Sequence, residues 1–444
     1  MKSIEPGDMP SDLVGRRPDP GALGITGPSH AVATLLYSDV CCWREMDVHY
    51  GRQRWQTMVL EDINVLDLTI ARAGPTAVRQ LGDWGASVIR ISMPGPDDDF
   101  ASNTTNSDYL NLHRNKRALI LDLKQQEGRD ILYALVERAD VLIENFRPPV
   151  KKRLGIDYET IARRNPQLVY GSISGFGQDG PYAEKGAVDQ IVQGMSGLMS
   201  ITGLPGQGPL RVGIAIADLA AGHQLAIGIL VALHERQTSG KGQWVHVSLL
   251  ESMISFLDFQ ATRWTIDGEV PWQVGNGHPT YFPMGAFKTS DGYINISAPG
   301  GRTWKHLCQV LEDLSLLDDP DYLTTELRSR NRASLLERIE AITVTRPTRE
   351  WWHRLDAADI PCGPVYAIDE VFADPQVQHL GMAITVDHSV RGPVAILRQA
   401  VNMTRTPPQV PTAAPMPGQD RDAILTELGF SPTDIDGLVE RGVV

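Results

Sequence analysis

Between Ile63 and Gly175 the chain repeats one pattern: a short apolar run, a break, then a longer stretch of helical periodicity. The apolar runs INVLDLT (63–69), ASVIRIS (86–92), ALILDL (118–123), VLIEN (141–145) and LVYGSISG (168–175) have strand length. Helical stretches are expected over 75–84 and 127–138. With helices between them, such strands pair in parallel, and the helices cover both faces of the sheet. Gly74-Pro75 suits a helix start, where the missing proline N–H costs nothing. The fold class this predicts is α/β, with a Rossmann-like parallel sheet in a large domain.

After about Leu257 the character changes. GNGHPTYFPMGAFKTSDGYINISAPGG (275–301) carries turn signals and short alternating strands such as YINIS, and helices are expected over 304–311 and 335–344. This reads as a smaller α+β domain. The expected organisation is an N-terminal extension over 1–57, a large domain over 58–260, a small domain with linkers over 261–390, and a C-terminal segment over 391–444. The extension is either a genuine segment packed on the body or the result of a start placed too early. Residues 1–25, rich in Gly, Pro and Asp, are expected to be disordered. One amphipathic helix, DRDAILTELG, precedes a polar C-terminus.

Composition removes several function classes. A formal net charge of −13 over 444 residues argues against nucleic acid as a partner. No unbroken apolar run of about 18 residues is present, so no membrane association is expected. Cys41, Cys42, Cys308 and Cys362 form no metal-binding spacing, and no metal is expected. Scattered cysteines and the lack of a basic-then-apolar leader suggest a reducing, cytoplasmic setting.

Asp218 is the most pointed candidate. It stands between the run 212–217 and a small-residue helix pattern expected over 219–236. A carboxylate there is either a plain N-cap or a functional group held charged by the helix N-terminus. Ala220, Ala221 and Gly222 let other backbone or a ligand come close. Two basic loops stand out on an acidic chain: HRNKRALILDLK (113–124) and ENFRPPVKKRLG (144–155). They are either phosphate-binding patches or solvated faces. The Gly/Ser-rich stretch 174–203 carries Asp189, which on its own reads as a cap for a helix from Gln190. A dinucleotide fingerprint and a GxSxG elbow are both absent, and SGKGQ (239–243) lacks the upstream glycine and following hydroxyl of a P-loop.

Together these segments resemble the class III coenzyme A transferases, the family that includes formyl-CoA transferase, carnitine CoA-transferase and 2-methylacyl-CoA racemases. The matching text is VLDLT…AGP (65–75), LGDWGASVIRIS-P (81–94), RNKRALILDLK (114–124), ADVLIENFRP (139–148), 153–183, 212–243 and GAFKTSDGYINIS (285–297). The resemblance covers about 60–430. It implies an interlocked homodimer whose chain ends return to the large domain. It implies a nucleophile at Asp218, and coenzyme A contacts at Arg72, Ala73, Leu121, Lys124, Asn145, Phe146, Arg147, Arg153, Gly186, Ala187, Val188 and Asp189. It also implies acyl-CoA and a small carboxylic acid as substrates.

The chain departs from the family at Arg90 and Ser92, where Lys and Glu are common, at Met93, where some members have Arg, and at Pro149, where glycine is common. Racemase members place His where this chain has Val188. Valine cannot exchange a proton, and racemisation needs an acid/base pair. Transfer through an aspartyl anhydride and an aspartyl-CoA thioester is therefore preferred over a racemase or a non-catalytic CoA-binding protein.

Overall fold

The structure is a computed structural model that describes residues 58–95 and 104–444. The expected extension over 1–57, with its disordered start and Cys41 and Cys42, lies outside the described residues. The elements around the main sheet are β1 (Asn64–Asp67), α1 (Ala73–Asp83), β2 (Ser87–Ser92), α2 (Ser107–Leu112), β3 (Lys116–Ile120) and α3 (Gln126–Val136). There follow β4 (Val141–Glu144), α4 (Pro148–Leu154), α5 (Tyr158–Arg164), β5 (Val169–Ser174), α6 (Asp189–Met195), α7 (Leu198–Ile201), α8 (Ile216–Ser239) and β6 (Trp244–Ser248). The sheet order is β3-β2-β1-β4-β5-β6, and every pairing is parallel.

The five strands read from the sequence are all present, with ends shifted by a few residues. The sixth, β6, was not expected. Its sequence WVHVS is only partly apolar, because an edge strand buries little on its outer side. Helix α1 opens at Ala73 with Arg72 as its N-cap, two residues before the expected start. Pro75 is thus the third helical residue. Its missing N–H still falls among the first four, which have no intrahelical acceptor.

Each face of the sheet carries a core. One buries Leu66, Leu121 and Leu132 against Ile424, Leu425, Ile435 and Leu438 from helices Arg421–Glu427 and Pro432–Glu440. The second of these helices corrects the expected polar terminus. Ser431 and Asp434 form a reciprocal capping box at its start, and Ile435 and Leu438 are buried in this core. The other face buries Val65, Val78 and Leu81 against Ala217, Ala221, Leu225 and Ile229 of α8. By length and composition α8 could cross a membrane, unlike the reading from unbroken runs, and half of its apolar window is buried.

Beyond the main sheet, β7 (Met284–Lys288), β8 (Tyr293–Ser297) and β9 (Cys362–Pro364) form an antiparallel sheet. Helices Gly301–Val310 and Arg332–Thr343 start three residues earlier than expected and pack on it through Trp304, Leu307, Leu335 and Ile339. β10 (Ala383–His388) and β11 (Gly392–Leu397) make a separate antiparallel pair.

Most of the first basic loop is a structural seam, neither a phosphate patch nor a solvated face, and Lys124 at its end stays exposed. Arg114 is buried and donates from Nε and Nη2 to both oxygens of Asp83, at 2.8 and 2.6 Å. Lys116 is buried against Asp67 at 2.8 Å, and Arg117 pairs with Glu427. Asn115 extends the seam: it donates to Asp83 and accepts the Thr412 N–H at 2.7 Å, docking the returning chain. The Asp83 carbonyl also accepts the Gln409 N–H at 2.8 Å. Asp83→Ala strands a buried guanidinium, so a loss of roughly 3–5 kcal/mol is expected. Urea unfolding measures it; a loss below about 1 kcal/mol would show the seam to be solvated.

Candidate active site

The strand order reverses between β1 and β4, and ligands of open α/β sheets bind beyond the carboxyl ends of such strands. The chain builds that crevice with care. Asp67, the last residue of β1, accepts from the Thr69 N–H at 3.0 Å and from its hydroxyl at 2.5 Å. Its second oxygen takes Lys116 Nζ. Across the crevice Asn145 accepts the Ile70 N–H at 2.9 Å and donates to the Ile70 carbonyl at 2.8 Å. Ala71 then turns through φ 59°, a left-handed conformation costly for a residue with a side chain. These contacts aim the next residue, Arg72, over the crevice.

Helix α8 supplies the carboxylate. It opens at Ile216 with Ala215 as N-cap, so Asp218 lies in the first turn and does not cap the helix. Asp189 does part of that work instead. It is the first residue of α6, buried, and its Oδ1 accepts the Ala217 N–H of α8 at 2.8 Å. Its Oδ2 accepts Gln193 Nε2 at 2.6 Å. It therefore does not cap its own helix, whose N-cap is Val188.

The local field also differs from the expectation. Burial, and then the neighbouring Asp189 carboxylate, push the Asp218 carboxyl up to about 6, against the pull of Arg72. Desolvation and like charge outweigh the helix N-terminus. Arg72 itself is paired with Asp108 at 2.5 Å. One turn along α8, Gly222 fits under α1: a Cβ there would stand 2.7 Å from the Ala73 carbonyl oxygen and 2.8 Å from Thr76 Cβ. That close approach brings the starts of α1 and α8 side by side.

The other predicted positions divide. Arg147 lies against Gly186, where a Cβ would meet its Nη2 at 2.5 Å, so the loop after β4 and the Gly-rich loop meet. Gly175 admits Ala187 in the same way, at 2.2 Å. The Phe146 N–H donates to Glu144 at 2.8 Å, and its ring is half-buried. Lys124, Arg147 and Arg153 are exposed, and Val188 is 62% exposed. Ala73 and Leu121 are buried, and the Leu121 N–H donates to the Ser92 carbonyl at 2.9 Å. Lys151 of the second basic loop is buried against Glu144 at 3.0 Å and Gln178 at 2.7 Å, not available to phosphate. Sequence reading missed Gln193 and Arg211, whose Nη2 lies 3.5 Å from Asp189. A lone Arg in a Gly/Pro-rich loop carries no local signal.

Holding Asp218 ionised costs the fold energy. Its proton is held to about 6 against an ordinary 3.8, and at ~1.4 kcal/mol per pH unit the cost reaches about 3 kcal/mol at neutral pH. Between those two values the folded chain binds more protons than the unfolded one, so the cost fades as pH falls through 6 toward 4. Asp218→Asn is expected to stabilise the protein near neutral pH and to give no gain near pH 4. Unfolding curves at both pH values check this; an equal gain at both contradicts it.

The profile of CoA-transferase family III matches residues 60–421. The chain is 33% identical to human succinyl-CoA:glutarate CoA-transferase over 392 residues, covering 87% of this chain and 90% of that one. It is 35% identical to succinyl-CoA:mesaconate CoA-transferase of Haloarcula hispanica over 384 residues, covering 83% and 96%. The crystal structure of a CAIB/BAIF family protein from Brucella suis superposes with a TM-score of 0.74 at 34% identity, covering 82% of this chain and 98% of that one.

Proposed function

The chain belongs to CoA-transferase family III, and from that premise we propose that it moves coenzyme A from an acyl-CoA to a carboxylic acid through Asp218. The observation that carries this reading is a partly buried carboxylate raised to about 6, at the switch-point crevice, flanked by Arg72 and Asp189. Above pH 6 it is ionised, yet more basic than an ordinary aspartate and so a better nucleophile.

The steps balance without a net proton. An Asp218 oxygen attacks the thioester carbonyl; the C–S bond breaks and CoA thiolate leaves a mixed anhydride. The thiolate attacks the Asp218 carbonyl carbon and releases the donor acid, leaving an aspartyl-CoA thioester. The acceptor carboxylate attacks that carbon and expels thiolate, forming a second anhydride. Thiolate then takes the acceptor acyl group and frees Asp218. Backbone N–H groups of the Gly-rich loop 175–188 are suited to the developing oxyanions. Arg147 and Arg153, exposed on the loop and helix after β4, are suited to the phosphates of CoA, with Lys124 beyond β3.

The acids named for the relatives, succinate, glutarate and mesaconate, are all dicarboxylic, and a small dicarboxylic acid is the acceptor class proposed here. Asp218→Ala is expected to lower CoA exchange by at least about a thousand-fold. Borohydride or hydroxylamine trapping should find the thioester in the parent and not in the variant. In the parent, kcat/KM should fall as pH drops through about 6, and Asp189→Asn should move that limb to lower pH. Full exchange by Asp218→Ala would end the reading.

The working form proposed is a homodimer. Ile227 and Val231 are 61% and 64% exposed on α8, on the face turned away from α1, and Trp264 and Ile266 in helix Phe259–Asp267 are exposed as well. Apolar surface of that extent is usually covered by a partner. Light scattering should give twice the chain mass, and Ile227→Asp should give monomers with little activity. A fully active monomer would refute the dimer.

A further inference from the structure

Two guanidinium groups attend the Asp189–Asp218 pair, and they are not equivalent. Arg72 is committed to Asp108 at 2.5 Å. Arg211 meets Asp189 only at 3.5 Å, and its contact with the Ile214 carbonyl is equally long. Asp189 is already satisfied by Ala217 and Gln193. The Arg211 side chain is 44% exposed, so its fork is free to turn to a ligand.

The loop that carries Arg211 is held in place. Gln273 Nε2 donates to the carbonyls of Thr202 and Gly208, both at 2.6 Å. The Gly275 N–H donates to the Gly203 carbonyl at 3.0 Å. The Val212 N–H, next to Arg211, donates to Gln193 Oε1 at 2.9 Å. A long cation is thus mounted on fixed backbone, beside a carboxylate pair that would repel any further negative charge. An acyl group with a second carboxylate brings such a charge. It needs a planar fork near the nucleophile but off the reacting carbon.

We propose that Arg211 is a specificity-determining residue: it binds the distal carboxylate of a dicarboxylic acyl group whose thioester carbon lies at Asp218. This rests on the CoA-transfer reading above and names a residue that selects the substrate. No bond forms or breaks at Arg211, so the reaction itself is unchanged.

The test compares matched acids that differ only in the distal carboxylate. With one acyl-CoA donor, the ratio of kcat/KM for glutarate to that for valerate should fall about 100-fold in Arg211→Gln, as expected when a charge-assisted pair loses one partner. Arg211→Lys should recover part of the ratio. If both acids lose rate equally, Arg211 only supports Asp189, and the proposal fails; an unchanged ratio also overturns it. A binding arm is independent of turnover. In the Asp218→Asn background, calorimetry should show succinyl-CoA bound more tightly than butyryl-CoA, and adding Arg211→Gln should remove the difference. No preference before that change would overturn the role of Arg211. Exchange that survives in Asp218→Asn would instead sink the nucleophile reading, so the two failures are distinguishable.

Discussion

The close approach of α1 and α8 at Gly222 organises the crevice. With no side chain there, the Ala73 carbonyl and Thr76 come within a distance that any Cβ would violate. Asp218 lies one turn before Gly222, and Arg72 one residue before Ala73. The seam therefore places a carboxylate and a guanidinium at the same helix ends. Ala217 and Ala221, buried on the same side, keep the two helices close along the first turns. A methyl at Gly222 would push the starts of the two helices apart.

Around that seam, two buried ion pairs have structural roles. The Asp67–Lys116 and Asp83–Arg114 pairs are fully desolvated and hold loops and the returning chain. Burial pulls Lys116 down to about 8, against the pull of Asp67. Asp189 is a different case. Its hydrogen bonds fix the start of α8 while its charge raises Asp218. One residue both positions the candidate nucleophile and makes its ionised form costly, an arrangement expected where a site spends stability on reactivity.

The architecture was largely legible in the sequence because parallel strands buried on both faces must be continuous apolar runs. β1 to β5 could be read for that reason. β6 could not, since an edge strand such as WVHVS gives up the pattern. The last helix, 432–440, was hidden because its apolar residues, Ile435 and Leu438, are few and widely spaced. Of the two basic loops, Arg147, Lys152 and Arg153 of the second and Lys124 of the first are exposed, and Arg117 is half-buried against Glu427. Arg114, Lys116 and Lys151 look identical to them in sequence, yet each meets a buried acid from a distant segment.

The sequence by itself determined the α/β class, the family, the prominence of Asp218, and, through Val188, the lack of a histidine beside Asp189. Those follow from local pattern and residue chemistry. Only the tertiary structure decided that Asp218 stands inside the first turn of α8, that Asp189 caps that helix from outside, and that the Asp218 carboxyl is raised. It also decided that Arg211 stands beside Asp189, with only long contacts of 3.5 Å to it and to the Ile214 carbonyl. Hydrogen bonds between segments 28 residues apart, and the desolvation they accompany, are set by packing, which no single stretch of chain encodes.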